Sequence, residues 1–262
     1  MKICILASGS KGNCIYVEDE EYKVLIDIGI SFKQLRIKLN QINVDVNDIN
    51  AVFITHEHTD HVMGLRTFSN NMNCDFYLTK GTLENLKSNI HETMSKKLFH
   101  IIKAFDEIKL NNMNIIVIPT HHDAKEPVGF RINHFDKSLI YITDTGYYDI
   151  TRYDLIRNAT MYIFESNYDP TILYESKRML RLKKRVAGDL GHMSNEDSAI
   201  NLSNVMGEST KLVVHAHISL ECNTEEMIVE TFRRILFERN VNIENIRFIC
   251  AKQYEISEVF EL

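Results

Sequence analysis

The chain has 262 residues, of which 44% are hydrophobic and 25% charged, enough for a sizeable core and a composition that excludes global disorder. Its formal net charge of −6 excludes a surface that attracts polyanions everywhere, so a nucleic-acid substrate would need a local basic patch. No window approaches the roughly 20 apolar residues of a membrane span, and the apolar run within residues 1–7 is shorter than the roughly 7–15 residues of a secretory signal core.

In chain order, residues 2–7 read as a first strand, followed by a small polar loop in which Ser8, Ser10 and Asn13 either bind phosphate or only make the turn. Runs at 15–17 and 23–26 continue the β pattern, and Asp27 follows just before Gly29. Residues 31–42 read as a helix with Ser31 and Gln34 at capping-box spacing. Strand-like runs recur at 51–55, 75–79, 114–119, 129–132, 138–143 and 161–165. Several are apolar without alternation, as strands covered on both faces are. A helix is predicted over 194–206, opened by Ser194 and Asp197, then a strand over 211–215. A helix over 224–240 has Thr224 ahead of Glu225 and Glu226, and a last strand covers 246–251. With only three prolines and no Gly/Ser-rich linker, a single domain over 1–262 is expected. The order of elements predicts an α/β protein with two mixed sheets back to back and helices outside. Cys4, Cys14, Cys74, Cys222 and Cys250 are odd in number and form no CxxC pair, the pattern of reduced thiols in a cytoplasmic protein.

The central motif is His56-Glu57-His58-Thr59-Asp60-His61, directly after the apolar run 51–55. Four potential ligands fall within six residues, in a loop where alternate side chains can converge. Imidazole nitrogen and carboxylate oxygen suit Zn²⁺, Mn²⁺ or Fe ions. Further donors stand just past other apolar runs: His121 and His122 after 114–119, Asp144 after 138–143, and His217 after 211–215. Open sheets build their sites at such strand ends.

His-x-His-x-Asp-His followed by a separate His, an Asp and a His resembles the metallo-β-lactamase superfamily, and within it the YycJ/WalJ-like exonuclease branch. The resemblance is carried by residues 7–14 (Ala-Ser-Gly-Ser-Lys-Gly-Asn-Cys), His122-Asp123-Ala124 with Pro127-Val128-Gly129, and Glu165-Ser166-Asn167. It extends through Gly191-His192-Met193-Ser194-Asn195 to His217-Ile218-Ser219 with Asn223. Tyr168 departs from the pattern, which has His after Glu-Ser-Asn. The resemblance implies a four-layer αββα sandwich and two metal ions. His56, His58 and His122 would hold the first ion, and Asp60, His61 and His217 the second, with Asp144 bridging. The residues after each pair favour His122 over His121 and His217 over His215. Asp27 would orient the His motif, or serve only as a turn residue.

Two such ions imply hydrolysis of a phosphodiester by a bridging hydroxide, with Asp60 as proton acceptor. His192, just ahead of the helix start at Ser194, would protonate the leaving oxygen beside N–H groups suited to phosphate, or merely enter the helix. The run from Lys177 to Arg185 carries six cations in nine residues. Lys183, Lys184 and Arg185 would track a phosphate backbone, or form one solvated face of an amphipathic helix. Tyr147, Tyr148, Tyr168 and Phe130 would stack on bases or close the core. The resemblance implies a 5′-to-3′ DNA exonuclease. The alternatives are an RNA-directed nuclease, a hydrolase of a small ester, lactone or thioester, a metal-holding protein without turnover, and a di-iron redox protein.

Overall fold

A computed structural model of the chain describes residues 1–20 and 22–262, which fall into two compact units. The first comprises Met1–Pro119, Ala124–Val128 and Lys252–Leu262. Its strands are β1 (Lys2–Ala7), β2 (Cys14–Glu18), β3 (Lys23–Ile26), β4 (Ala51–Phe53), β5 (Asp75–Thr79), β6 (Phe99–Ile102), β7 (Glu107–Leu110), β8 (Met113–Pro119) and, near the C-terminus, β14 (Phe260–Glu261). Seven of them form a mixed sheet in the order β14-β1-β2-β3-β4-β5-β6. The ladders are antiparallel from β14 to β3 and parallel from β3 to β6. Strands β7 and β8 pair as an antiparallel hairpin.

The helices of this unit are α1 (Phe32–Gln41), α2 (Thr59–Val62), α3 (Leu65–Asn71), α4 (Lys80–Asn85) and α5 (Ser88–Met94). The expected capping box is present on α1: Ser31 accepts from the Gln34 backbone N–H while Gln34 reaches back to the Ser31 N–H. Leu35 and Leu39, one helical turn apart, face the core with Phe68 of α3 and Phe76 of β5. Phe68 meets Phe32 and Phe76 edge-on at 6.1 and 6.2 Å, the arrangement that the ring quadrupole favours. The buried Lys38 ammonium donates to the carbonyls of Leu6 and Tyr254, both at 2.7 Å, and so ties α1 to β1 and to the C-terminal segment.

The second unit comprises Thr120–Asp123 and Gly129–Ala251. Its strands are β9 (Val128–His134), β10 (Lys137–Ile142), β11 (Met161–Glu165), β12 (Leu212–Ala216) and β13 (Arg247–Cys250), in the order β13-β12-β11-β10-β9. The β9–β10 pair is an antiparallel hairpin, and the other ladders are parallel. All five residues of both β11 and β12 are buried, which accounts for their unbroken apolar runs. The helices are α6 (Tyr153–Ile156), α7 (Pro170–Glu175), α8 (Leu180–Val186), α9 (Asn195–Val205) and α10 (Glu225–Glu238). Ser194 and Thr224 cap α9 and α10 as their spacing predicts, accepting from the N–H groups of Asp197 and Met227.

Every strand read from the sequence is present, with ends shifted by at most two residues. Strands β6, β7 and β14 are additional. Their residues are short runs with exposed positions, so the apolar signal that marks a strand is weak there. Among the described residues no helix is long and apolar enough to cross a membrane.

Phe68 is fully buried, so Phe68→Ala is expected to destabilise the chain by about 3–5 kcal/mol through lost transfer energy and a residual cavity. Urea unfolding reads this directly, and an unchanged midpoint would show that the Phe32–Phe68–Phe76 cluster is not central to the core.

Candidate metal centre

In the first unit the histidine motif occupies the turn from β4 into α2, with His58 as the N-cap residue and Asp60 and His61 in the helix. The turn is anchored on one carboxylate. Asp27 accepts from the Thr55 backbone N–H at 2.8 Å and from the Thr55 hydroxyl at 2.9 Å. Its Oδ2 also lies 2.7 Å from His61 Nδ1, and His56 Nδ1 lies 3.0 Å from Thr55 Oγ1. Because the Thr55 hydroxyl is spent on Asp27, this network assigns a proton to Nδ1 of both rings, so that each carries its lone pair on Nε2. Asn13 Nδ2, 3.0 Å from His61 Nε2, is placed to donate to that lone pair. The rings of His56 and His58 lie 4.7 Å apart, and those of His56 and His61 4.1 Å apart.

Asp27 is fully buried. Burial raises its carboxyl above the ordinary range despite His61 and Thr55. It sits in the left-handed region with φ 61°, and its backbone N–H donates to Phe53 at 2.8 Å. Gly29 lets the next turn pass close by, since a Cβ there would stand 1.7 Å from the Asp60 carbonyl oxygen. Asn13 folds its amide back onto Gly9 and donates its backbone N–H to Asp60. The loop of Ser8, Ser10 and Asn13 therefore makes its own turn and also braces the helix that carries Asp60.

The second unit collects its donors by register. Strands β10, β11 and β12 are parallel, with Ile142 opposite Phe164 and Glu165 opposite Ala216. Their C-terminal ends therefore lie side by side, which brings Asp144, Glu165 and His217 together. Asp144 and His217 are both left-handed, with φ 55° and 53°. Such strain in non-glycine residues persists only where the surroundings enforce it. Here Asn167 Nδ2 donates to the His217 carbonyl at 2.6 Å.

His217 Nδ1 lies 3.2 Å from Asp144 Oδ1 and 3.1 Å from Glu165 Oε1. His192 Nδ1 lies 2.8 Å from the same Glu165 oxygen, and Thr145 N–H donates to the other at 2.9 Å. Burial would raise the Glu165 carboxyl, but the neighbouring His192 and hydrogen bonds from His192 and His217 hold it below the ordinary range. His122 donates from Nδ1 to the Gly191 carbonyl at 2.8 Å, with its Nε2 3.7 Å from Asp144 Oδ1. Asp144, Glu165, His192 and His217 form one group with ligand atoms within 4.8 Å of one another. Glu165 was not among the sequence candidates. Its signal was available, because it too ends an apolar strand.

The neighbouring residues left open by sequence separate clearly. His121 stacks on Tyr147 at 4.2 Å. His215 lies in the core against Phe232, its Nδ1 3.0 Å from Ser166 Oγ, and burial alone pushes its imidazole down to about 3. Phe130, Tyr148 and Tyr168 are buried, which removes them as stacking platforms. Tyr168 packs with Leu173, Val186 and Cys222. Ser194 is buried as the cap of α9, its hydroxyl donating to Asp197 Oδ2 at 2.6 Å. In the basic run, Lys183 donates to the Tyr174 carbonyl. Arg185 grips both oxygens of Asp123, at 2.6 and 2.9 Å, and Lys184 is exposed.

Comparison with known proteins adds the following. The family model described as "Beta-lactamase superfamily domain" matches residues 22–216. Exodeoxyribonuclease YycJ of Bacillus anthracis is 32% identical over 244 residues, covering 91% of this chain and 90% of that protein. Exodeoxyribonuclease WalJ of Streptococcus pneumoniae is 33% identical over 248 residues, covering 92% and 90%. The crystal structure of the metallo-β-lactamase fold protein YhfI from Bacillus subtilis superposes with a TM-score of 0.72 at 13% identity, over 98% of each chain. This likeness agrees with the expected α/β class of two mixed sheets with helices.

Asp27→Ala removes the acceptor for the Thr55 N–H and for His61 Nδ1 in a buried site, and is expected to destabilise the chain by about 1–3 kcal/mol. A denaturant midpoint equal to that of the parent chain would show that these bonds do not hold the turn.

Proposed function

The chain belongs to the metallo-β-lactamase superfamily, and from that premise we propose that it is a dinuclear metal-dependent phosphodiesterase, a 5′-to-3′ DNA exonuclease working as one domain over residues 1–262. The support is twofold. Relatives that share about a third of its residues over nine-tenths of its length are named exodeoxyribonucleases. The donor set also has the chemistry of a metal site. The carrying observation is that His56, His61 and His122 each have Nδ1 tied to an oxygen acceptor, the orienting contact that metal-ligating imidazoles make.

In this reading His56, His58 and His122 would hold one ion and Asp60, His61 and His217 a second, with Asp144 available to both. Zn²⁺ or Mn²⁺ suits this mixture of imidazole and carboxylate, and Fe is also compatible. Divalent ions bound there would supply an acidified water and offset the charge on a phosphate. Asp60 would accept the proton of the attacking water. His192, with Nδ1 directed at Glu165, presents Nε2 to the leaving oxygen and supplies its proton. Glu165 keeps that imidazole oriented. Lys183, Lys184 and Arg185 attract the phosphate backbone, whereas Ser194 and Asn13, buried and used in a helix cap and a turn, are withdrawn as substrate contacts, and Ser10 remains the exposed polar residue of its loop.

Chelator treatment should abolish cleavage of labelled DNA, and adding back Zn²⁺ or Mn²⁺ singly should restore it. Full activity retained in chelator would sink the metal reading. Single- and double-stranded DNA and RNA in the same assay, with the label at either end, identify substrate and polarity.

Asp60→Asn should lower turnover by about 10²–10⁴-fold, the usual weight of a general base, while leaving the thermal midpoint close to that of the parent. Retained turnover in the metal-loaded variant would remove Asp60 from the reaction.

Changing Lys183, Lys184 and Arg185 together to Ala should weaken DNA binding and flatten its salt dependence. A hydrolase of small esters or lactones would lose little.

A further inference from the structure

The run from α7 through α8 carries apolar side chains that the core does not take up. Tyr174 is 57% exposed, Met179 78% and Leu180 63%, all within seven residues. They alternate with cations. Among the described residues Lys177, Arg181 and Lys184 form no ion pair, whereas Arg178 is paired with Glu221 and Arg185 with Asp123. The segment is held firmly. Asp169 caps α7, Lys183 bonds the Tyr174 carbonyl, and Val186 and Leu173 are buried beneath it. Met179 and Leu180 are thus fixed in the open, at the cap and first residue of α8.

Cations alone suffice to hold a duplex, whose bases are stacked and hidden behind phosphates. Exposed aromatic side chains stack on bases, and neighbouring aliphatic ones pack beside them, where base faces are uncovered. From this we infer that the α7–α8 ridge is a binding surface for single-stranded nucleic acid. Tyr174, Met179 and Leu180 take the faces of unpaired bases, and Lys177, Arg181 and Lys184 take the phosphates between them. The inference rests on the nucleic-acid reading above and adds strand preference to it. The unpaired charges complement a polyanion in a chain that is acidic as a whole.

The test is fluorescence anisotropy on the metal-loaded chain with cleavage-resistant phosphorothioate oligonucleotides, single-stranded and duplex, across a salt series. The Tyr174→Ala/Met179→Ser/Leu180→Ser variant changes only exposed positions. It should bind the single strand about tenfold more weakly and the duplex as before. Lys184→Ala should weaken both and reduce the single-strand salt slope by about 0.7. Equal loss on both forms, or loss on neither, overturns the inference. So does binding to phosphatidylserine vesicles that disappears in the triple variant while single-strand binding survives, since the ridge would then serve a membrane surface. Selective loss of single-strand binding from a chain that cuts neither DNA nor RNA would uphold this surface while refuting the phosphodiesterase reading.

Discussion

An imidazole can serve as a metal ligand in a fixed direction only if its other nitrogen is held, and that constraint organises both units. In the first, Asp27 holds His61 directly and His56 through the Thr55 hydroxyl. In the second, the Gly191 carbonyl holds His122, and Glu165 gathers His192 and His217. Much of the surrounding structure supplies these acceptors. Asp27 directly follows β3, Glu165 ends β11, and Gly191 lies in the loop that joins α8 to α9. Burying a carboxylate is costly unless its lone pairs are used. Both acids meet that condition, with at least three groups around each.

Position along the strand explains why these side chains meet. Parallel neighbours end at the same level, so the residue just past each end joins a row across the sheet. In the second unit that row is Asp144, Glu165 and His217. In the first, Asp27 and Thr55 stand past the ends of the parallel neighbours β3 and β4. The loop 185–191 adds a brace to the second row. Arg185 holds Asp123, the Asp123 N–H donates to Leu190, and His122 donates to Gly191. The end of the basic helix is therefore joined to one candidate ligand and leads in sequence to His192.

Legibility in the sequence followed how local each determinant is. The caps of α1, α9 and α10 were readable because cap and partner are three residues apart. The His motif and Asp144 were readable because they interrupt or follow apolar runs. The half-exposed strands β6 and β7 were not, since little apolar patterning survives where one face is wet. Glu165 escaped because, as the last residue of an apolar strand, it resembles an ordinary strand end until His192 and His217 are seen around it. The Arg185–Asp123 pair spans 62 residues of chain, and no local pattern announces it. The departure at Tyr168 is settled by packing, for its ring lies in a small apolar cluster.

Backbone shape at three of these positions limits what evolution can try there. Asp27, Asp144 and His217 all have φ between 53° and 61°, a conformation that asparagine, aspartate and glycine accept readily and β-branched residues resist. A codon change to valine, threonine or isoleucine would be rejected by the main chain before chemistry was consulted. Asparagine, by contrast, keeps the contour at all three, and at the two aspartates it discards a negative charge. Relatives that have lost metal chemistry but kept the architecture should therefore drift towards asparagine or glycine at these places, leaving a recognisable scar in an otherwise intact frame.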